Sequence, residues 1–180
     1  MIPLLVYMPF LAGGVATAGE TQVYLTEAEA IHYVFPDMDS AHVETRVLSP
    51  VEKRRIEERL GWKLDQDTIR VFLGYKQTHL DGYAMITDQV GMYRPITFIV
   101  KVNPSGAISN MAIMTYRESR GSEVRQKRFL SQFFGKTVSH HLRLNRDIDS
   151  VTGATMSSRA IVAGTKRALV IIDELYLYKQ

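Results

Sequence analysis

Between residues 68 and 115 hydrophobic side chains recur with a period of two, and this stretch limits the possible folds more than any other. Ile69-Arg70-Val71-Phe72-Leu73-Gly74-Tyr75 is followed by Gly82-Tyr83-Ala84-Met85-Ile86-Thr87. Ile96, Phe98, Val100 and Val102 then alternate with Thr97, Ile99 and Lys101, the pattern of a half-buried strand. Asn103-Pro104-Ser105-Gly106 is a turn, and 107–114 is the returning strand. The expectation is an α+β fold: an antiparallel β meander covered by helices on one face.

Helices are predicted on either side of the strands. Thr26-Glu27-Ala28-Glu29 opens a short one, with Thr26 as cap and Glu29 reaching back. It must end before Pro36, because the residue preceding a proline disfavours the helical region. Ser49-Pro50 starts a charged helix over 51–60 that Gly61 stops. Its Glu-Lys-Arg-Arg-x-Glu-Glu-Arg composition reads as a solvated face carrying i,i+4 pairs. Near the C-terminus Ala160, Ile161, Gly164, Ala168, Ile171, Ile172 and Leu175 fall on one helical face.

The last helix is entered through Asp149-Ser150-Val151-Thr152-Gly153-Ala154-Thr155-Met156-Ser157-Ser158. Thr155 therefore sits at or near a first turn, where N–H groups lack partners and the helix dipole is positive. Capping alone accounts for Ser, Thr and Gly at such a place. The same place is also a ready seat for a phosphate.

Composition excludes several classes of function. The chain has 180 residues, 46% hydrophobic and 23% charged, which suits a single globular domain with a sizeable core. There is no cysteine, so disulfides, thiolate metal sites, haem attachment and lipoprotein anchoring are ruled out. The net charge of +3 is mild and its basic residues are scattered, so no nucleic-acid partner is expected. Residues 1–18 read as an export signal: 2–11 is apolar and Ala16-Thr17-Ala18 is an A-x-A-like cleavage site. A membrane anchor is the alternative, weakened by Pro3, Pro9, Gly13 and Gly14. A periplasmic or otherwise extracytoplasmic location, with membrane association open, follows from either reading.

The 149–158 string resembles the flavinylation motif of the FMN-binding domain family, Asp-x-x-Ser/Thr-Gly-Ala-Thr followed by Ser/Thr. Members occur in sodium-translocating NADH:quinone reductases, Rnf-type complexes and free-standing exported redox proteins. The resemblance implies covalent FMN, joined by a phosphoester to the last Thr and donated from FAD by a separate flavin transferase. On this chain the acceptor is Thr155, framed by Asp149, Thr152, Gly153 and Ala154. A threonine hydroxyl is a poor nucleophile without an adjacent base, and no Ser-His-Asp arrangement lies nearby, which fits modification by an outside enzyme.

A second family motif, roughly His-x-Glu-Thr-x-Gly after an x-V-x-x-x-G-x-I hairpin, resembles Tyr116-Arg117-Glu118-Ser119-Arg120-Gly121. The resemblance places Glu118, Ser119 and Gly121 near the flavin, with Tyr116 standing where the family has His. As plain structure the segment is a polar loop leaving a strand. Phe129-Leu130-Ser131-Gln132-Phe133-Phe134-Gly135 is also similar to a family segment, and core packing explains its aromatics. His140-His141 would point to opposite faces of a strand, so no metal site is expected.

These readings divide the chain into an export signal (1–18), an N-terminal helical elaboration (19–61) and an FMN-binding domain (62–180). The function they imply is an exported flavoprotein carrying electrons between a membrane or extracytoplasmic redox partner and another. The flavin supplies the redox chemistry and the chain supplies attachment and orientation, so no catalytic acid or nucleophile is required, and none is evident. The alternatives are a flavin-dependent reductase of a small substrate, with Tyr116 or Glu118 as proton donor, and a flavin-free interaction module of the same fold.

Overall fold

A computed structural model describes residues 21–178. The export signal expected over 1–18 lies outside the described residues. Six strands form one sheet: β1 (Gln22–Val23), β2 (Ser40–Val47), β3 (Thr68–Lys76), β4 (His79–Val90), β5 (Pro95–Val102) and β6 (Ile108–Tyr116). Their order is β1-β6-β5-β4-β3-β2, and every pairing is antiparallel. The meander expected over 68–115 is thus the four central strands in sequence order. The β5–β6 turn closes as its residue types require, with Asn103 Oδ1 accepting from the N–H groups of Ser105 (3.1 Å) and Ala107 (3.0 Å).

The sheet is covered on both faces, not on one. Helix α1 (Glu27–Val34) lies over one face, where Ala30, Val34 and Phe35 pack on Phe72, Ala84, Ile99 and Ala112. Helices α2 (Pro50–Leu60) and α4 (Thr155–Ile172) cover the other, against Val71, Met85, Phe98 and Val100. Strand β5 is accordingly buried on both sides rather than half-buried, and even Lys101 is 8% exposed. That lysine keeps its charge inside by pairing with Asp81 at 2.6 Å and lying 4.6 Å from the Phe35 ring centroid.

The predicted capping box at Thr26/Glu29 is present, and Ser49, read only as a helix start, forms a second one with Glu52. The hydrogen bonds of each box hold the glutamate below its usual carboxylate range. The stretch 19–61, expected to be helical, also contains β1 and β2, the two edge strands. Strand β2 pairs with β3 at eight positions although it is almost wholly exposed. The charges of α2 also differ from expectation, because most find partners outside the helix. Arg59 bonds Asp173 and Glu174, Lys53 bonds Asp67, and Glu57 bonds Lys63 and the Leu64 N–H. Ile56 and Leu60 turn one side of α2 into the core, which brings Arg59 against the end of α4.

A shorter segment completes the fold: α3 (Lys127–Leu130) and a following 3₁₀ turn, whose Phe129 and Phe133 are buried edge-to-face at 5.6 Å. His140 lies in irregular chain, not in a strand, and accepts from the Thr137 N–H at 3.1 Å. Among the described residues no helix is long and apolar enough to cross a membrane, and no group of side chains could hold a metal ion.

Helix α4 approaches the sheet closely at Gly164. A Cβ there would lie 2.6 Å from Phe98 Cζ and 2.7 Å from Gln89 Cγ. Helix propensity alone predicts that Gly164→Ala stabilises by ~1 kcal/mol. Overpacking against the buried Phe98 ring costs ~1–3 kcal/mol and should outweigh it. Chemical denaturation should therefore show the Ala variant to be less stable; a gain in stability would mean that α4 is free to move off the sheet.

Candidate functional site

Thr155 is the first residue of α4 and is exposed. The chain reaches it through a turn in which Ala154 N–H donates to Val151 O at 2.9 Å. The third residue of that turn, Gly153, has φ of +77°, a conformation that glycine adopts without strain. The residue capping the helix is Ala154, which has no side-chain oxygen to offer. The first helical bond runs from Ser158 N–H to Ala154 O at 2.8 Å, so the donors before it in the first turn are left for a ligand or solvent.

Burial distinguishes the hydroxyls around this turn. Ser158 is fully buried; its Oγ donates to Ala154 O (3.0 Å) and accepts from Val151 N–H (3.1 Å). Ser157 is 4% exposed and hydrogen-bonds the Tyr116 hydroxyl at 2.8 Å. Thr152 and Thr155 are exposed, and among the described residues neither side chain has a hydrogen-bond partner. The structure thus commits both serines to holding the loop and presents the two threonines to the outside.

Side chains from distant elements hold the rest of the segment. Gln132 grips the backbone of Asp149 with both ends of its amide: Oε1 accepts from Asp149 N–H at 2.8 Å, and Nε2 donates to Asp149 O at 3.2 Å. The Asp149 side chain itself is left exposed. Asn145, in the left-handed region at φ +62°, accepts from Ser150 N–H at 3.3 Å. One step earlier, Asp147 takes the backbone N–H of Arg143 at 2.8 Å and its guanidinium at 3.1 Å. Those bonds, the backbone one foremost, hold the Asp147 carboxyl below its usual range. Sequence reasoning placed Gln132 only within an aromatic segment; its amide pairing across seventeen residues has no local signal.

The Tyr116-to-Gly121 loop is at the same end of the sheet, pressed on the start of α4. Gly121, at φ +90°, is buried so tightly that a Cβ would lie 2.9 Å from Ala154 Cβ and 3.2 Å from Ser157 Oγ. Tyr116 ends β6 and is 1% exposed; its hydroxyl donates to Arg120 O and meets Ser157. Burial pushes its phenol up, with the Ser157 bond opposing, so the hydroxyl keeps its proton at neutral pH. Glu118 turns towards the β4–β5 connection, where Oε1 accepts from Tyr93 N–H (2.7 Å) and Arg94 N–H (2.9 Å). Its Oε2 has no partner among the described residues, and Ser119 is exposed. The loop and the Thr155 segment are therefore neighbours, joined through Gly121 and Tyr116 and not through Glu118.

Beside the 149–152 stretch is an open cavity of about 540 Å³, bordered by Gln126, Arg128, Phe129 and Gln132 from the α3 region. Its size falls within the ~300–1,000 Å³ usual for small-molecule sites. A ribityl phosphate on Thr155 fits these features. Its charge would meet a helix start with no side-chain cap, and the cavity borders the chain up to Thr152, three residues before Thr155. Arg159 is exposed on the next turn, whereas Lys166 is drawn away to Leu60 O at 3.0 Å.

Comparison with known proteins bears on the same segments. Comparison of the sequence with curated proteins gives no match. Among solved structures, the crystal structure of Shewanella oneidensis NqrC is similar, with a TM-score of 0.54 and 16% identity over 76% of this chain and 82% of that one. At that identity the likeness concerns the fold alone, which is that of an α+β, NqrC-like domain. The model of the FMN-binding domain family matches residues 91–170, a span holding the Tyr116 loop, the α3 region and the whole entry into α4. Over residues 91–170 this chain therefore matches the FMN-binding domain family, the family that its 149–155 string also resembles.

Proposed function

We propose that the protein is an exported electron carrier whose FMN is joined through its phosphate to the Oγ of Thr155. The observation that carries this reading is the contrast at the start of α4. Ser157 and Ser158 are buried and hydrogen-bonded, Thr155 is exposed and unbonded, and the helix beneath it has no side-chain cap. Thr152 is also exposed but lies within the turn, ahead of the helix start at Thr155. Asp149, Thr152, Gly153 and Ala154 form the frame that a flavin transferase would recognise when it donates FMN from FAD.

The flavin, once attached, takes up and releases one or two electrons. The chain tethers it, offers positive helix-dipole potential to its phosphate, and supplies a cavity bordered by Arg128 and Gln132. With attachment and orientation as its tasks, the chain serves as a carrier between redox partners, one of them at or in a membrane, rather than as a stand-alone enzyme. A reductase would need a proton donor over the ring. Tyr116 is buried and spent on Arg120 and Ser157, which removes one of the two residues considered for that role. Export rests on residues 1–18 and an extracytoplasmic location follows from it.

Coexpression with a flavin transferase tests the attachment. The denatured wild-type band should fluoresce, Thr155→Val should be dark, Thr155→Ser should keep part of the signal, and Thr152→Val should keep most of it. A bright Thr155→Val band would remove Thr155 as the acceptor.

Glu118, Ser119 and Gly121 enter the proposal as the loop bordering the flavin. A carboxylate near a group that gains electrons disfavours reduction. Glu118→Gln retains an acceptor oxygen for the Tyr93 and Arg94 N–H groups while removing the charge. In a spectroelectrochemical titration its midpoint potential should be higher than that of the wild type at equal flavin loading. Superimposable curves would confine Glu118 to holding the β4–β5 turn.

A further inference from the structure

Tyr116 is a fully sheltered phenol with two hydrogen bonds, and their polarity is fixed. Its hydroxyl carries one hydrogen, and a carbonyl only accepts, so that hydrogen goes to Arg120 O. At the 2.8 Å contact with Ser157 the serine hydroxyl must then be the donor. Ser157 is the third residue of α4, two past Thr155, and is buried. The contact exists only because position 121 is glycine: a Cβ there would lie 2.7 Å from Tyr116 Oη and 3.2 Å from Ser157 Oγ. One phenol thus ties the end of β6, the 117–121 loop and the first turn of α4 into a single unit.

We propose that Tyr116 is a positioning residue for the modification of Thr155, acting through Ser157. This rests on the reading of Thr155 as the flavin acceptor. In the transfer, Thr155 Oγ attacks the FMN phosphorus of FAD. The Oγ–P bond forms, the pyrophosphate P–O bond breaks with AMP leaving, and the threonine proton passes to a base of the transferase; no electrons change hands. Such a displacement needs the attacking oxygen in line with the leaving one. Thr155 makes no side-chain hydrogen bond among the described residues, so its direction is set by the helix turn that carries it. Tying Ser157 to Tyr116 fixes that turn from the buried side. It also commits the Ser157 hydroxyl inward, away from the incoming phosphate.

The experiment is a time course of covalent flavin incorporation, with FAD and a flavin transferase, for wild type, Tyr116→Phe, Ser157→Ala and the double variant, alongside the Tm of each unmodified protein. Tyr116→Phe keeps the ring in its packed place and should slow incorporation by ~10- to 100-fold, the range expected when a reacting group is slightly misplaced. Ser157→Ala should slow it similarly, and the double variant should be no slower than the slower single, as for two ends of one interaction. The rates should fall far more than the folded fraction at the assay temperature. Additive losses in the double variant, incorporation by Tyr116→Phe at the wild-type rate, or a loss explained by its Tm would each overturn the proposal. Absence of flavin from the wild type under these conditions would remove Thr155 as acceptor, and the positioning role with it.

Discussion

Helix α4 occupies its place only because Gly164 leaves room for the ring of Phe98. Phe98 is fully buried in β5, the strand at the middle of the meander, and the helix backbone rests against it. From that contact Ala160, Ile161, Ala168 and Ile172 continue the buried face in both directions. Helix direction and depth are then fixed, and with them the position of the helix start at the end of the sheet where β6 leaves. The loop after β6 meets that start at Gly121. Close packing in the middle of the helix therefore determines the chemistry available at its end.

At that end electrostatics and burial act together. A helix whose capping residue is alanine keeps its first-turn donors for something other than its own side chains, and it favours negative charge. Each of the other two helices of eight residues or more satisfies its first turn internally with a capping box, so the exposed start of α4 is a local exception. Of the four hydroxyls from Thr152 to Ser158, two are buried to brace the loop and two are left exposed. Gln132 and Asn145 hold the approach to the turn from outside through the backbone of Asp149 and Ser150.

Much of this was legible in the sequence because it depends on near neighbours. Period-two alternation identified β3 to β6, and Thr26/Glu29 and Ser49-Pro50 marked the helix starts through bonds spanning three residues. The Asp149-to-Thr155 string pointed to the helix start, where the proposed acceptor stands. What escaped depends on distant partners. Strand β2, Ser-Ala-His-Val-Glu-Thr-Arg-Val, does alternate, with Ala41, Val43 and Val47 on one side, but that side stays exposed and the strand exists by pairing with β3. The second covered face of the sheet depends on Phe35 meeting the surface of β3, where a Cβ at Gly74 would come within 2.5 Å of its ring. Tyr116 read as a substitution at a flavin contact, but folding turned its hydroxyl onto a serine forty-one residues away. Glu118 kept its place in the loop but is engaged with the preceding turn, a bond that no local pattern announces.

The account stands on one atom, the Oγ of Thr155. Cleavage after Arg146 and Arg159 releases a single peptide, 147–159, that contains all the hydroxyls in question: Ser150, Thr152, Thr155, Ser157 and Ser158. Fragmentation of that peptide from protein matured with a flavin transferase locates the added group among them. The structure's division into exposed and buried hydroxyls, together with the helix start, predicts FMN on Thr155 alone. The group on Thr152 would mean that exposure decides and the helix terminus does not. Its presence on Ser157 or Ser158, both buried and bonded, would contradict the account.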